Sequence, residues 1–174
     1  MMENCNTIIL MASSRSRGNT AILADKVSSE IGASILNIND FEIRPYNYEN
    51  HNQDDDFIAL IDELLNYQRI IFASPVYWYG PSAQLKLFFD RITDLLDEHK
   101  EKGRRLKGKN AALLATGYDL KPKSCFEEAF SLTFQYLKMN YEGMLYVPFQ
   151  EQLGLDNCHA KIKRYSQGLM VTQG

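Results

Sequence analysis

The sequence predicts one α/β domain, residues 1–174, in which helices cover both faces of a five-stranded parallel sheet. The length of 174 residues is enough for a single domain with a buried sheet. Short apolar runs alternate five times with longer segments in which apolar residues recur at helical spacing. Runs that are apolar almost throughout are typical of strands covered on both faces. Their alternation with helices favours parallel strands joined by right-handed crossovers.

The elements follow in order along the chain. The predicted strands are residues 7–12, 34–39, 69–74, 110–116 and 143–147. The predicted helices cover residues 19–31, 54–65, 83–96, 124–138 and the tail after 156. Gly32 should end the first helix, and Gly168 weakens the end of the last one. The carboxylates of residues 54–56 suit the positive end of the second helix, and Ser82 is a candidate N-cap for the third.

The composition excludes several classes of protein. The net charge is −3, so no global basic field is available to hold nucleic acid. No apolar run approaches the roughly 20 residues that span a bilayer, and the opening run is too short for a signal-peptide core. We therefore expect a cytoplasmic protein without membrane attachment.

The metal-ligating residue types are scattered. The chain has three cysteines and three histidines: Cys5, Cys125 and Cys158, with His51, His99 and His159. The cysteines form no CxxC pair, and no histidine has a second ligand three or four residues away. We therefore expect neither a disulfide framework nor a metal site.

The loop after the first strand, residues 12–20, is rich in hydroxyl groups and runs into a helix start. Free backbone N–H groups and the helix dipole make such a start an anion site. Four side chains could add hydrogen bonds to a phosphate: Ser13, Arg15, Asn19 and Thr20. Bonds to charged groups contribute about 1.5–3 kcal/mol each, so three or four would supply much of the roughly 8 kcal/mol of micromolar binding. The alternative is that the hydroxyls cap the helix and the arginines are solvated.

Two common nucleotide motifs are absent from this loop. It contains neither the P-loop pattern GxxxxGK[ST] nor the dinucleotide pattern GxGxxG. A phosphate site without either motif favours a mononucleotide.

The loops after the third and fourth strands add rings and small residues. Tyr77, Trp78 and Tyr79 are consecutive, so at least one ring should be exposed, where it could stack on a planar conjugated ligand. An aromatic contact between subunits is the alternative. After the fourth strand, Thr116 and Tyr118 could flank the same ring, and Gly117 permits close approach of backbone to ligand.

Together the three loops resemble the flavodoxin-like NADPH-dependent FMN reductase family, including its iron–sulfur flavoproteins and related NAD(P)H:quinone oxidoreductases. Residues 13–20, SSRSRGNT, are similar to the phosphate loop GSxRxxGNT, with Ala12 in place of the first glycine. Residues 74–91 are similar to the flavin-ring segment SPVYWxGxSxxxKxFxDR. The segment LKGK at 106–109, with Thr116 and Gly117 beyond it, resembles the approach to the third flavin loop. Residues 46–53 lack the cysteines of the iron–sulfur branch, so no cluster is expected there.

The resemblance implies a flavodoxin-like fold with strand order 2-1-3-4-5, FMN as the cofactor and NAD(P)H as co-substrate. It assigns the phosphate to Ser13, Arg15, Asn19 and Thr20. It assigns the isoalloxazine ring to Pro75, Val76, Tyr77, Trp78, Tyr79 and Gly80 on one side, and to Thr116, Gly117 and Tyr118 on the other. Asp90 and Arg91 are expected in helix packing or a dimer contact. No catalytic side chain is named, because the flavin itself carries the chemistry.

The expected function is an FMN-dependent NAD(P)H oxidoreductase that reduces quinones, flavins or similar small acceptors. A flavodoxin-type electron carrier with protein partners is one alternative, although the modest net charge offers little steering. A flavin-free binding protein on the same fold is another. A homodimer is expected, because a flavin at a sheet edge needs cover.

A basic stretch between the third helix and the fourth strand could bind the 2′-phosphate of NADPH. It consists of Lys102, Arg104, Arg105, Lys107 and Lys109. We favour the interpretation that these residues are solvated and complement a helix end, so neutralising them should change NADPH use little.

Overall fold

The computed structural model describes residues 6–49, 54–149 and 158–171. Its five strands form one parallel sheet in the order β2-β1-β3-β4-β5, which confirms the predicted topology. The strands are β1 (Thr7–Met11), β2 (Ser34–Asn37), β3 (Arg69–Pro75), β4 (Asn110–Gly117) and β5 (Asn140–Pro148). The helices are α1 (Asn19–Ile31), α2 (Phe57–Leu64), α3 (Ala83–Arg91), α4 (Lys100–Arg104), α5 (Ser124–Tyr136) and α6 (His159–Val171).

Two apolar cores lie on the two faces of the sheet. Helices α1 and α6 contribute Leu23, Val27 and Ile162 to one core. Helices α2, α3 and α5 contribute to the other, where Phe72 of β3 stacks on Phe134 with ring centroids 5.4 Å apart. The central strands β1 and β3 are buried along their whole length, as their unbroken apolar runs predict. Helices therefore cover both faces.

Two predicted elements end earlier than expected. The second strand stops at Asn37, whose side chain accepts a hydrogen bond from the Asn39 N–H, and a 3₁₀ turn (Ile38–Asp40) follows. The third helix stops at Arg91 and tightens into a second 3₁₀ turn (Ile92–Leu95). There the Arg91 guanidinium bonds to Asp94 three residues on, at the spacing that a 3₁₀ turn brings into line.

The short helix α4 has no counterpart among the predicted elements. Its Gly103 lies against the preceding turn, where an added Cβ would be 2.2 Å from the Leu95 carbonyl oxygen. Glycine is required for this close approach of the two backbones.

The acidic residues before α2 have a different role from the one expected. The first turn of α2 holds no acidic residue. Instead, the buried Asp55 carboxylate accepts hydrogen bonds from the Arg91 guanidinium and from the N–H groups of Arg44 and Phe57. Burial would raise the pKa of Asp55, but these bonds, the Arg91 bond first among them, outweigh burial and lower the pKa. Asp55 thus joins the loop before α2 to α3.

Strand β5 extends beyond its predicted bounds, whereas helix α6 lies within the predicted tail helix. Strand β5 begins at Asn140, and its register shifts opposite Ala111 and Leu113, next to Gly143 with φ +93°. Helix α6 continues through Gly168, around which the described structure leaves open space. Within the described residues, no helix combines the length and apolarity needed to cross a membrane.

At the amino ends of the strands, polar groups bond to one another. Arg69, the first residue of β3, is 2% exposed and forms a paired contact with Glu142 of β5, with Nη2 2.8 Å from Oε1. The Asn110 amide donates to the same carboxylate over 3.0 Å. The Lys109 ammonium donates to the carbonyls of Leu65 and Tyr67 at the end of α2. This end of the sheet is closed by its own side chains.

Candidate cofactor site

The carboxyl ends of β1, β3 and β4 surround a cavity of about 390 Å³, here called the cofactor cavity. Its volume lies in the range of about 300–1,000 Å³ that is usual for small-molecule sites. Ten of the residues predicted from the sequence line it: Ser13, Arg15, Asn19, Thr20, Pro75, Val76, Tyr77, Thr116, Gly117 and Tyr118. Gly18 and Phe149 also line it and were not predicted. The structure therefore brings three loops, distant in sequence, to one site.

The start of α1 opens onto the cofactor cavity with its backbone donors unused by a cap. The N-cap residue is Gly18, which has no side chain to supply a hydrogen bond, and the first turn holds no acidic residue. The first intrahelical bond runs from Ile22 N–H to the Gly18 carbonyl, so the N–H groups of residues 19–21 precede it. An anion at this point would meet free donors and the positive end of the helix dipole.

The hydroxyl groups predicted to bind phosphate are partly engaged within the chain. Thr20 and Thr116 are buried, and their hydroxyl oxygens lie 2.8 Å apart in a hydrogen bond that joins α1 to the end of β4. The Ser13 carbonyl accepts a bond of 2.6 Å from the Asn39 amide. These contacts fix the loop, while the exposed Arg15 forms no ion pair with another described residue.

The second loop contains a tight turn of aromatic residues, residues 77–80, here called the aromatic turn. The backbones of Tyr77 and Gly80 bond to each other in both directions over 2.9 Å. Between them Trp78 has φ +48° and Tyr79 has φ +66°, a left-handed backbone that Asn-Gly usually adopts in such turns. Side chains with a Cβ adopt this conformation at a cost of roughly 1–2 kcal/mol each.

Of the four residues of the aromatic turn, Tyr77 alone lines the cofactor cavity. Trp78 is 94% exposed, and neither it, Tyr79 nor Gly80 lines the cavity wall. Contact of these three residues with the cofactor therefore stays a prediction. The ring that does face the cavity from this loop is that of Tyr77.

A serine network joins the second loop to the first. The Ser82 hydroxyl accepts a bond from the Leu85 N–H, which confirms Ser82 as the N-cap of α3. The same hydroxyl donates to the Ala12 carbonyl over 2.8 Å, and the Ser82 N–H donates to the Ser74 hydroxyl over 3.0 Å. Both serines are buried, so they position the two loops against each other.

The third loop rests on Tyr146 of β5. A Cβ added at Gly117 would lie 2.6 Å from the Tyr146 hydroxyl oxygen and 3.3 Å from Val76 Cβ. Glycine is therefore required here by a neighbouring side chain. The Tyr146 hydroxyl donates to the Asp119 carbonyl over 2.5 Å, and burial, with a contribution from the Asp119 charge, raises the pKa of Tyr146. The phenol stays protonated and holds the loop in place.

Besides Gly18, the sequence prediction misses Phe149. It follows β5, and its N–H donates to the Gly117 carbonyl, which brings its ring to the cavity beside Tyr118. The sequence signal was an aromatic residue just beyond a strand that neighbours β4. The expected site includes only the ends of the first, third and fourth strands, and Phe149 follows the fifth.

Asp90 and Arg91 lie outside the cofactor cavity. Arg91 is 1% exposed, bonds to Asp55 and Asp94, and stands 4.6 Å from the centre of the Phe57 ring. Asp90 pairs with Lys86 one helical turn earlier. Arg91 thus serves packing, as expected, whereas the Asp90 contact is an exposed pair within α3.

The basic stretch lies at the opposite end of the sheet. Lys102 pairs with Asp62 of α2, and Lys109 donates to the Leu65 and Tyr67 carbonyls just after α2, so these contacts lie at the second helix and not at the end of the third helix, which the residues were expected to complement. Arg104 and Lys107 line a separate cavity of about 340 Å³ beside the end of α5. Strand β4 has eight residues, which places this stretch about 20 Å or more from the cofactor cavity.

The chemistry of the cofactor cavity fits FMN. Free helix N–H groups and Arg15 are suitable donors for a dianion, and the lining residues Tyr77, Tyr118 and Phe149 supply aromatic surface for a planar ring. Among the described residues, no acidic side chain lines the cavity, so no like charge opposes a phosphate. No group of three His, Cys, Asp or Glu side chains suited to a metal ion occurs in the described ranges.

Comparison with known proteins agrees with this geometry. The model of the NADPH-dependent FMN reductase family matches residues 5–152. YwqN of Bacillus subtilis (strain 168), named as an NAD(P)H-dependent FMN-containing oxidoreductase, is 29% identical over 146 residues, which cover 78% of this chain and 80% of YwqN.

Two solved structures show the same fold. The Trp repressor binding protein from Bacillus subtilis is 24% identical with a TM-score of 0.72, over 91% of this chain and 96% of that one. General stress protein 14 from Treponema denticola, solved in complex with FMN, is 17% identical with a TM-score of 0.63, over 95% of each chain. With the family match spanning most of the sequence, the chain belongs to the NADPH-dependent FMN reductase family and is an FMN-dependent NAD(P)H oxidoreductase.

Proposed function

We propose that the chain holds FMN in the cofactor cavity and passes electrons from NAD(P)H to small planar acceptors such as quinones or free flavins. The single observation that carries the proposal is that the uncapped start of α1 opens onto the same cavity as the rings of Tyr77, Tyr118 and Phe149. One cavity thus offers hydrogen-bond donors for the phosphate of a mononucleotide and aromatic side chains for its ring.

The phosphate of FMN would bind at the start of α1. The N–H groups of residues 19–21, the Asn19 amide and the Arg15 guanidinium supply the donors. Thr20 and Ser13 contribute through the hydroxyl lone pairs and hydrogens that their internal bonds leave available.

The isoalloxazine ring would lie between the second and third loops. The Val76 N–H is bonded to the Thr116 carbonyl over 2.7 Å, and the N–H groups of Tyr77 and Gly80 are bonded within the aromatic turn. Because these N–H groups are already bonded within the chain, this part of the cavity wall would contact the isoalloxazine ring mainly through side chains. When bound, FMN accepts a hydride and returns electrons to an acceptor, while the chain binds, orients and shields it.

The acceptor would approach between exposed rings. Tyr118 lines the cavity and is 79% exposed, and Trp78, 94% exposed, follows Tyr77, which lines the same cavity. Aromatic faces favour planar conjugated molecules by offset stacking. This favours quinones and flavins over protein redox partners.

An absorbance spectrum of the purified protein with added FMN tests the proposal. We expect a bound flavin spectrum that bleaches on anaerobic addition of NADPH and returns on addition of a quinone. Protein that leaves FMN free in solution would contradict the site. Bleaching without steady turnover on any small acceptor would favour an electron carrier.

We also propose that the enzyme is a cytoplasmic homodimer. The outer face of α5 carries Ala129, Leu132 and Tyr136 at helical spacing, and Leu132 and Tyr136 are exposed by 57% and 70%. This stripe continues to the aromatic turn, because the Cys125 thiol lies 3.9 Å from the Tyr79 carbonyl oxygen. A second copy could bury both.

Cys125 and Cys158 are free thiols, which suits a reducing compartment.

Light scattering tests the dimer. We expect a mass of two chains at micromolar concentration, and one chain for Leu132→Asp with FMN retained. A mass of one chain for the unaltered protein would contradict the dimer and leave the cofactor proposal standing.

A further inference from the structure

A hydrogen bond between two threonines joins the first and third loops in the wall of the cofactor cavity. Thr20 of α1 and Thr116 of β4 both line the cavity, and their hydroxyl oxygens lie 2.8 Å apart. The two residues are 2% and 3% exposed, and neither hydroxyl has another hydrogen-bond partner among the described residues. The bond therefore links a residue predicted to hold the FMN phosphate to one predicted to hold the isoalloxazine ring.

The sheet fixes the position of Thr116. It lies between Pro75 of β3 and Val147 of β5, with which it is paired in the parallel sheet. Its carbonyl accepts a hydrogen bond of 2.7 Å from the Val76 N–H. Because threonine is branched at Cβ, rotation about its χ1 is also restricted. Thr116 therefore offers the Thr20 hydroxyl a partner whose place is set by the strands.

The threonine pair holds one hydroxyl hydrogen more than its own bond uses. Each hydroxyl has one hydrogen and two lone pairs, and the bond between them takes up one hydrogen. The geometry allows either oxygen to be the donor. If Thr116 donates, the spare hydrogen belongs to Thr20 in the first turn of α1. If Thr20 donates, the spare hydrogen belongs to Thr116 at the end of β4.

A phosphate at the start of α1 selects one of these two directions. A phosphate monoester dianion accepts hydrogen bonds and donates none. The N–H groups of residues 19–21 precede the first intrahelical bond, and Thr20 lies among them. The dianion draws the spare hydrogen to Thr20, which then has to accept from Thr116. Two hydrogen bonds in a chain strengthen each other, so Thr116 acts on the phosphate without touching it.

We propose that Thr116 is a positioning residue for the phosphate: it donates to Thr20, turns the Thr20 hydroxyl hydrogen toward the phosphate and so adds to the preference for FMN over riboflavin. The inference rests on the proposed function, because the phosphate of FMN must lie at the start of α1. It gives Thr116 a role beside the contact with the ring that the resemblance implies. Specificity for a phosphate is then set in part from the end of β4.

Binding of FMN and riboflavin to the flavin-free, full-length protein tests the inference. Riboflavin has the same ring and ribityl chain without the phosphate, so the ratio of its Kd to that of FMN isolates the phosphate contribution. Quenching of flavin fluorescence gives both Kd values without any turnover. The variants are Thr116→Val, Thr20→Val, the double variant and the conservative Thr116→Ser. The matched control is Thr133→Val, which removes a hydroxyl bonded to the Ala129 carbonyl within α5.

We expect Thr20→Val to lower the preference for FMN about tenfold, because a bond to a charged group is lost. Thr116→Val should lower the preference about threefold, because the Thr20 hydroxyl loses the donor that directs it. Adding Thr116→Val to Thr20→Val should leave the preference within about 1.5-fold, since Thr116 acts through Thr20. Thr116→Ser should restore the preference, and the control should leave both Kd values unchanged.

Three results would overturn the inference. The first is an unchanged preference in Thr116→Val. The second is an equal loss of affinity for both flavins in that variant, which is what a bond that only holds the loops together predicts. The third is a threefold loss that persists when Thr20 is already valine. Failure of the proposed function looks different, because the unaltered protein would then bind riboflavin as tightly as FMN, or bind neither.

Discussion

The end of the sheet where the strands begin, here called the amino edge, and the end where they finish, here called the carboxyl edge, use the same kinds of side chain in opposite ways. At the amino edge, the Arg69 guanidinium is matched by Glu142, and the Lys109 ammonium is matched by helix carbonyls. At the carboxyl edge, Arg15 and the first N–H groups of α1 face a cavity, and Trp78 stands almost fully exposed. The comparison teaches that a fold completes its own polar pairing where it needs only stability. Groups left without partners indicate where a ligand completes the pairing.

Two helix starts at the carboxyl edge repeat this contrast. Helix α3 is capped by the Ser82 hydroxyl, which also bonds to Ala12. Helix α1 begins at Gly18 without a side-chain cap. Glycine as an N-cap is only about a few tenths of a kcal/mol less stabilising than serine or aspartate, so α1 loses little stability while its first N–H groups stay available for a phosphate.

The largest effect should come from breaking the amino edge. Replacing Arg69 by Met removes the guanidinium that neutralises the nearly buried Glu142 carboxylate, to which the Asn110 amide still donates, and we expect a loss of about 3–5 kcal/mol in the free energy of unfolding. Urea denaturation of the FMN-free protein measures this loss. FMN affinity of the folded fraction should not change.

The matched control is Arg69→Met/Glu142→Leu, in which apolar contacts replace both charges and most of the stability should return. If Arg69→Met instead weakened FMN binding without lowering the free energy of unfolding, the amino edge would not serve stability alone.

Next in size is the loss of phosphate donors at the carboxyl edge. Arg15→Gln/Asn19→Ala should raise the Kd for FMN at least tenfold, because each lost charge-assisted bond is worth about 1.5–3 kcal/mol. Stability without FMN should stay within about 0.5 kcal/mol, since both side chains are exposed. A double variant that stays fully yellow through dialysis would contradict the phosphate assignment.

A smaller effect, of opposite sign, should follow at the aromatic turn. Trp78→Asn/Tyr79→Gly places the residues that the left-handed turn favours, and we expect the FMN-free chain to gain about 1–2 kcal/mol. The measurement is urea denaturation at a dilution where light scattering gives one chain. Turnover with quinones should fall, because two exposed rings are removed. Unchanged turnover would show that these rings do not serve the acceptor.

The smallest effect should come from capping α1. Gly18→Asp should stabilise the FMN-free protein by about 0.5 kcal/mol through the cap and the helix dipole. It should also weaken FMN binding, because a carboxylate then occupies the phosphate position. Gly18→Ser is the control, with a cap but no charge, and should weaken binding less. A stronger hold on FMN in the Asp variant would place the phosphate elsewhere.

Much of the fold could be predicted because the central strands are buried on both faces, so their sequences are unbroken apolar runs. The early end of α3 could not be predicted, since apolar residues recur at helical spacing through Leu96, whereas the chain tightens into a 3₁₀ turn where Arg91 bonds to Asp94. The first residues of β5 are partly exposed and carry no such run.

The cofactor loops could be predicted because chemistry concentrates hydroxyls, cations and rings at strand ends. Phe149 could not, because a bond to the Gly117 carbonyl carries it to the cavity from beyond the fifth strand. Gly117 was singled out for closeness to a ligand, but its lack of a side chain also makes room for Tyr146.

The contact between Gly117 and Tyr146 makes the two positions dependent on each other in evolution. A side chain at position 117 has no room while the tyrosine lies beneath it, so a library that randomises position 117 alone should return glycine. Randomising both positions together should recover alanine or serine at 117 beside a smaller residue at 146. A substitution at position 117, in the cavity wall, therefore requires a prior substitution at position 146 on the neighbouring strand β5.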